Sequence, residues 1–176
     1  MHKLFPSQDE DEKIFLVVRA HWFVLFLKII VWLFFVAALL LFNFYAPDTL
    51  PGLFTGRAEL ITSLFVQIYT LFLVVSLFLI WLLWYLNIQV VTDRRIVDVD
   101  QVGLFSHVVS ELHIENIEDV TSETNGLFGH LFGYGMVYVQ TAGTKGNFEF
   151  DNVPDPGLIN KLLLDLYEKV ADKNND

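Results

Sequence analysis

His107, Glu111 and His113 are the first place to look for chemistry, because imidazole and carboxylate together make a zinc ligand set. They lie in a stretch that alternates as a strand does, with Val108, Leu112 and Ile114 on the other face. Six residues along a strand at ~3.3 Å each separate the two imidazoles by about 20 Å, too far to share one ion. The pattern is read as the solvent face of a strand. Gly126 to Gly135 contains four glycines and offers a candidate phosphate cradle. Phosphate loops open a helix with free N–H groups and usually bring a Lys or Arg. Here the glycines are interleaved with Leu127, Phe128, Leu131, Phe132 and Tyr134, side chains suited to packing. The segment is expected to be an ordered loop that seats on its own domain or the membrane surface, or docks a partner. The carboxylate pairs Glu118-Asp119 and Asp98/Asp100 could serve acid–base work, but such neighbours are ordinary on solvated strands and turns. No serine stands beside a plausible base, and the absence of Cys excludes thiolates and disulfides. The expectation is a chain with no catalytic residue, no metal site and no cofactor, in a reducing compartment.

Arg94 and Arg95 form the adjacent basic pair of the second half. With Lys145 they are candidate lipid-facing cations, each contributing about 1 kcal/mol near an anionic surface. The alternative is that Arg94 and Arg95 only mark topology. Against them stands a strongly acidic background: from Asn87 onward there are fifteen Asp or Glu and six Lys or Arg, within a net charge of −10. Nucleic acid is an unsuitable partner, since phosphate binding needs a concentrated basic surface.

The elements that must carry these residues fall into two halves. Trp22 to Tyr45 is apolar apart from Lys28 and Asn43, and Leu60 to Leu86 has only Thr62, Ser63, Gln67, Thr70 and Ser76 as polar residues. At about 1.5 Å per residue the first run reaches roughly 36 Å, enough to cross a hydrocarbon core of about 30 Å. Neither run has the charged face of a soluble amphipathic helix. Residues 46–59, with Asp48, Pro51 and Gly52, link the two spans, so they form an antiparallel hairpin. Arg57 is the basic residue of the link, whereas Lys3, Lys13, Arg19, Lys28, Arg94 and Arg95 flank the other ends. The positive-inside rule then puts both termini in the cytoplasm. His21, Trp22, Lys28, Tyr45, Trp84 and Tyr85 are expected as interfacial anchors, Lys28 by snorkelling unless it is a functional intramembrane charge. Gln67 and Ser76 are candidates for interhelical hydrogen bonds. The acidic first residues lack a small-residue cleavage site and do not read as a cleaved signal peptide.

After Leu86 the pattern turns alternating. Strands are predicted over Asn87–Thr92, Ile96–Val102, His107–Ile114, Ile117–Thr124, Met136–Ala142 and Asn147–Val153. Thr92-Asp93-Arg94-Arg95 forms the first turn, and Gly143-Thr144-Lys145-Gly146 a hairpin turn. Asp155-Pro156 is an N-cap and first-turn pair. It opens a helix to about Ala171 whose stripe is Ile159, Leu162, Leu163, Leu166, Tyr167 and Val170.

This order of strands and closing helix resembles the pleckstrin-homology (PH) barrel. The stretches Val91-Thr92-Asp93-Arg94-Arg95-Ile96, Gly103-Leu104-Phe105-Ser106, Ile114 to Val120 and Gly126 to Val137 are similar to the bacterial PH-like domains of small membrane proteins. So is Arg19-Ala20-His21-Trp22 before the first span. The likeness covers Asn87 to Ala142 plus the preceding anchor. It implies a fold and leaves function open, since PH-like folds host unrelated binding roles. Where members often carry a basic residue between the loop glycines this chain has His130, which with the acidic balance argues against a phosphoinositide-type pocket.

The resulting expectation is an α+β membrane protein. Its parts are an N-terminal segment (1–21), a two-helix transmembrane anchor (22–86), a PH-like β-barrel or sandwich with one C-terminal helix (87–171) and a tail (172–176). It is read as a non-catalytic binding or scaffold module at the cytoplasmic face of the bacterial plasma (inner) membrane. Its expected partners are the bilayer, a protein and further copies of itself. Two alternatives stand beside that reading: an anionic-lipid sensor, and a subunit of an oligomeric transport or channel assembly using Lys28, Asn43 and Gln67.

Overall fold

The computed structural model describes residues 5, 8–9, 11–101, 103, 106–141 and 148–175, with side chains described to residue 170. The chain divides into two compact units, Met1–Trp22 with Leu83–Asp176, and Phe23–Leu82.

Among the described residues the first unit holds seven strands in two antiparallel sheets. Strands β1 (Ile14–Val18), β2 (Ile88–Thr92), β3 (Arg95–Gln101) and β4 (His107–His113) form one sheet in that order. Strands β5 (Ile117–Glu123), β6 (Tyr134–Thr141) and β7 (Phe148–Pro154) form the other. The alternation of β-branched and polar residues dictates these strands, because one face of each must leave water. In β3, Ile96 enters the main core, while Val97 points to a second cluster with Val90 and Phe5 on the opposite face. In β7, Phe150 is fully buried opposite Val137, and its ring meets Phe148 edge-on at 5.4 Å.

Two helices complete this unit, α3 (Gly126–Phe132) and α4 (Pro156–Asn175). The Asp155 side chain accepts a hydrogen bond from the Leu158 N–H at 3.3 Å, the capping that the Asp-Pro pair predicts. The stripe of α4 then buries Ile159, Leu163 and Leu166 in the core shared by both sheets. The segment Gly126–Gly135, expected to be a loop, instead contains helix α3. Its apolar residues recur at helical spacing, and Gly133 ends it in the left-handed conformation (φ +71°) with its N–H bonded to Gly129 O at 2.8 Å. The glycines punctuate a helix there rather than prevent one.

Among the described residues the expected strands all form, while the expected ends at Val102, Ala142 and Asn147 and the turn at 143–146 lie outside the described residues. The addition is β1, a part of the N-terminal segment to which the sequence pattern assigned no element. It pairs antiparallel with β2, so the segments on either side of the apolar helices are neighbours in one sheet.

The second unit consists of most of α1 (Trp22–Thr49) and α2 (Gly56–Leu86), joined through a single 3-10 turn at Pro51–Phe54. Both helices exceed the expected spans, so the link shrinks to Leu50–Thr55. Their 28 and 31 residues make them roughly 42 and 46 Å long at about 1.5 Å per residue. Both are long and apolar enough to cross a membrane. Large side chains point outward all round them, Phe34, Phe44 and Leu60 being more than two-thirds exposed. The Trp32 indole N–H lies 3.0 Å from Leu73 O and 3.2 Å from Ser76 Oγ on the other helix, and Tyr69 donates to Phe35 O at 3.3 Å. Ser76 thus accepts a bond across the hairpin, and Gln67 bonds Ser63 in its own helix.

Candidate functional site

The β2–β3 turn gathers the charges. Thr92, fully buried, accepts hydrogen bonds from the N–H groups of Arg94 and Arg95 at 3.2 and 3.0 Å. Its hydroxyl lies 2.7 Å from Glu12 Oε1. Arg95 is turned inward. It meets Glu12 through Nε and Nη2 at 3.0 and 3.2 Å, Glu111 through Nη1 at 2.9 Å and Asp9 through Nη2 at 3.3 Å. Its guanidinium also stands over the Phe5 ring, 5.9 Å from the centroid. Burial alone would raise the Glu12 carboxyl. Hydrogen bonds from Thr92, the Asp9 N–H and Arg95, with the Arg95 charge, outweigh that and hold it below the usual carboxylate range. Burial likewise opposes the charge on Arg95, and bonds to Glu111 and Glu12 raise its pKa despite it.

This geometry corrects the expectation for Arg95 as a lipid-facing cation. It is 9% exposed and committed to internal carboxylates, because Glu12 arrives beside it on the flank of β1. Arg94 remains half exposed, bonded to Asp9 at 2.9 Å. Lys145 lies outside the described residues. Glu111, grouped with His107 and His113 by spacing, serves Arg95 instead. The two histidines sit at opposite ends of β4, paired with Gln101 and Arg95.

A second cluster surrounds the points where the chain leaves and re-enters the sheeted unit. The Trp84 indole N–H donates to Ala20 O at 2.9 Å. Arg19 donates to Tyr85 O at 3.2 Å and stands 4.8 Å from the centroid of the Tyr85 ring. His21 is buried, which lowers its pKa, and its ring stacks on Tyr134 at 5.5 Å. Its backbone N–H donates to Asn152 O at 2.7 Å. Trp22 is half exposed and meets Phe132 edge-on at 5.7 Å. The structure thus joins two groups that the sequence treated separately, the anchors His21 and Trp22 and the loop residues Phe132 and Tyr134. Lys28 and Tyr45 lie exposed on α1.

Of the five apolar residues in the glycine segment, Phe132 and Tyr134 face this cluster. Leu127, Phe128 and Leu131 remain exposed at 79%, 53% and 69%. A large apolar side chain left in water forgoes roughly 1.5–3 kcal/mol of transfer free energy, and these three lie together on a two-turn helix.

Asp98 is perturbed as well. Burial, then the charge of Asp100 and a hydrogen bond with it, push its carboxyl up to about 7, with Asp151 adding and Gln89 opposing. Glu12 and Asp9 were missed as functional partners in the sequence. The available signal was an acidic residue two positions before a short apolar run, Ile14 to Val18.

The sequence profile of the family described as "Bacterial PH domain" matches residues 15–167, from β1 well into α4. Among solved structures, a DUF1696 family protein with a pleckstrin-homology domain from Shewanella loihica PV-4 is similar, at 18% identity over 46% of this chain and 70% of that one, with a TM-score of 0.39. No curated protein matches the sequence. With its profile match running through both sheets and the helical hairpin between β1 and β2, the chain belongs to the bacterial PH domain family.

Proposed function

We propose that this protein is a membrane-anchored binding or scaffold module, its PH domain held at the cytoplasmic face of a bacterial inner membrane by the hairpin of α1 and α2. The observation that carries the reading is the pairing of β1 with β2. These strands flank the two apolar helices, so the hairpin is an insertion between neighbouring strands and both of its ends return to one sheet. A pair of spanning helices meets that requirement, because two crossings bring the chain back to its starting side. Lys13, Arg19, Arg94 and Arg95 mark that side as cytoplasmic, against Arg57 in the link.

The charge arrangement favours a protein ligand over an anionic-lipid headgroup. Arg94 and Arg95 face three carboxylates, those of Asp9, Glu12 and Glu111, so the basic pair is more than neutralised where it stands. An enzyme is disfavoured too, since Arg94 and Arg95 are already neutralised by Asp9, Glu12 and Glu111.

The test uses single-cysteine variants of the full chain, which has no Cys of its own. Glu118→Cys lies on the exposed face of β5 and Thr55→Cys in the link. A membrane-impermeant maleimide should label position 55 in intact spheroplasts and position 118 only after lysis. Recovery of the protein in a detergent-free high-speed supernatant would sink the reading, and the opposite labelling pattern would reverse the topology.

A further inference from the structure

We infer that α3 is a lipid-contacting element, its Leu127, Phe128 and Leu131 face lying in the interface of the membrane that anchors the chain. This rests on the anchored reading above and adds a surface to it. The helix is fixed from beneath by Phe132, whose ring meets Trp22, and Trp22 is the first residue of α1. The two residues before Trp22 belong to the same cluster: His21 stacks on Tyr134, and Ala20 accepts from Trp84. So α3 stands where the chain passes from the domain into its first apolar helix, with Leu127 and Leu131 turned outward.

Charge points the same way. Thr124 to Thr144 contains no Asp, Glu, Lys or Arg, in a half of the chain that otherwise carries fifteen acids. An acidic surface is repelled by anionic headgroups, and this is the stretch able to approach them without that penalty. Short helices with one apolar face bury it at the headgroup–acyl boundary, and tryptophan concentrates at the same depth. A second copy or another protein would have to be recruited to cover this face, whereas lipid is already present wherever Trp22 enters the bilayer.

Spin labels on single cysteines of the full chain in liposomes test the inference, at Leu127→Cys and Leu131→Cys, with Glu118→Cys and Phe34→Cys as references. Each label's collision rate with oxygen, which concentrates in lipid, is compared with that of a water-soluble nickel chelate. Labels at 127 and 131 should favour oxygen as the mid-helix label at 34 does, and the label at 118 should favour nickel. If 34 favours oxygen while 127 and 131 favour nickel, the anchored reading stands and this inference fails. Labels at 127 and 131 shielded from both reagents would mean that protein, not lipid, covers the face, and would overturn it equally. If 34 itself favours nickel, the anchoring fails and the inference with it.

Discussion

Arg95 and Glu12 meet through two hydrogen bonds of 3.0 and 3.2 Å across 83 residues of sequence, with the whole helical hairpin between them. The pair ties the flank of β1 to the β2–β3 turn. Asp93 adds to the tie by accepting the Lys13 N–H and donating its own N–H to Lys13 O, both at 3.0 Å.

Arg95→Met should destabilise the domain by about 3–5 kcal/mol, because it leaves the buried Glu12 carboxylate without its cation. Glu12→Gln should cost less, because Arg95 keeps Glu111 and Asp9. The double variant should recover part of that loss. Arg94→Ala, at a half-exposed pair, should cost less than about 1 kcal/mol. Urea unfolding of the detergent-solubilised chain, followed by tryptophan fluorescence, measures all four.

Asp98 predicts a loss of stability toward alkaline pH. Its carboxyl sits at about 7 in the folded chain, against an ordinary value of 3.8. Between those values the native state holds a proton that the unfolded state has released, so stability falls as pH rises from about 4 to about 7 and stays low above. Asp98→Asn should raise the melting temperature at pH 8 and leave it nearly unchanged near pH 4. The gain should be about 2 kcal/mol once solvent screening is discounted. Glu12 works in the opposite sense: its lowered pKa makes a contribution that is present above the ordinary carboxylate range and lost as pH falls through the folded value. Melting temperatures over a pH series separate the two.

Gly135→Ala should be severe. A Cβ there would stand 2.1 Å from Glu123 O and 2.9 Å from Pro156 Cγ, on backbone and a ring that cannot swing aside. A cost of about 3 kcal/mol or more is expected from such overpacking. Gly103, which has nothing within 4 Å of the corresponding position, should accept alanine within about 0.5 kcal/mol. Thermal unfolding of the two variants side by side gives the contrast.

Trp32→Phe removes the indole donor that reaches Leu73 O and Ser76 Oγ across the hairpin. Bonds of this kind within a membrane average about 0.6 kcal/mol, so the hairpin should weaken modestly. Unfolding in mixed micelles, with helicity as the readout, should show a small shift in midpoint and retained cooperativity.

The parts legible from sequence are those whose signal is local. The apolar runs of α1 and α2, the alternation in β3 and β7 and the stripe of α4 each sit within one stretch of chain, and Asp155-Pro156 announces its own helix start. What was illegible depends on partners far away. Ile14 to Val18 is apolar on both faces and runs toward the first apolar span, and only its pairing with β2 makes it a strand. Arg95 reads as an exposed cation until Glu12 and Glu111 are brought beside it from two other elements. In α3 the spacing of Leu127, Phe128, Leu131 and Phe132 was helical throughout. The glycines at 126 and 133 lie at its ends, where a breaker is compatible with the helix it bounds.

The antiparallel register of Val18 with Gln89 also sets a schedule for biogenesis. At about 5–20 residues per second, strand β1 is synthesised roughly 4–14 seconds before its neighbour. Throughout that interval β1 has no strand to pair with, and loop closure over some seventy residues must wait until both helices have been made. On the anchored reading proposed above, a nascent chain whose second helix stalled on the way back would leave β1 without β2, and completion of the sheet would report that both helices had been laid down.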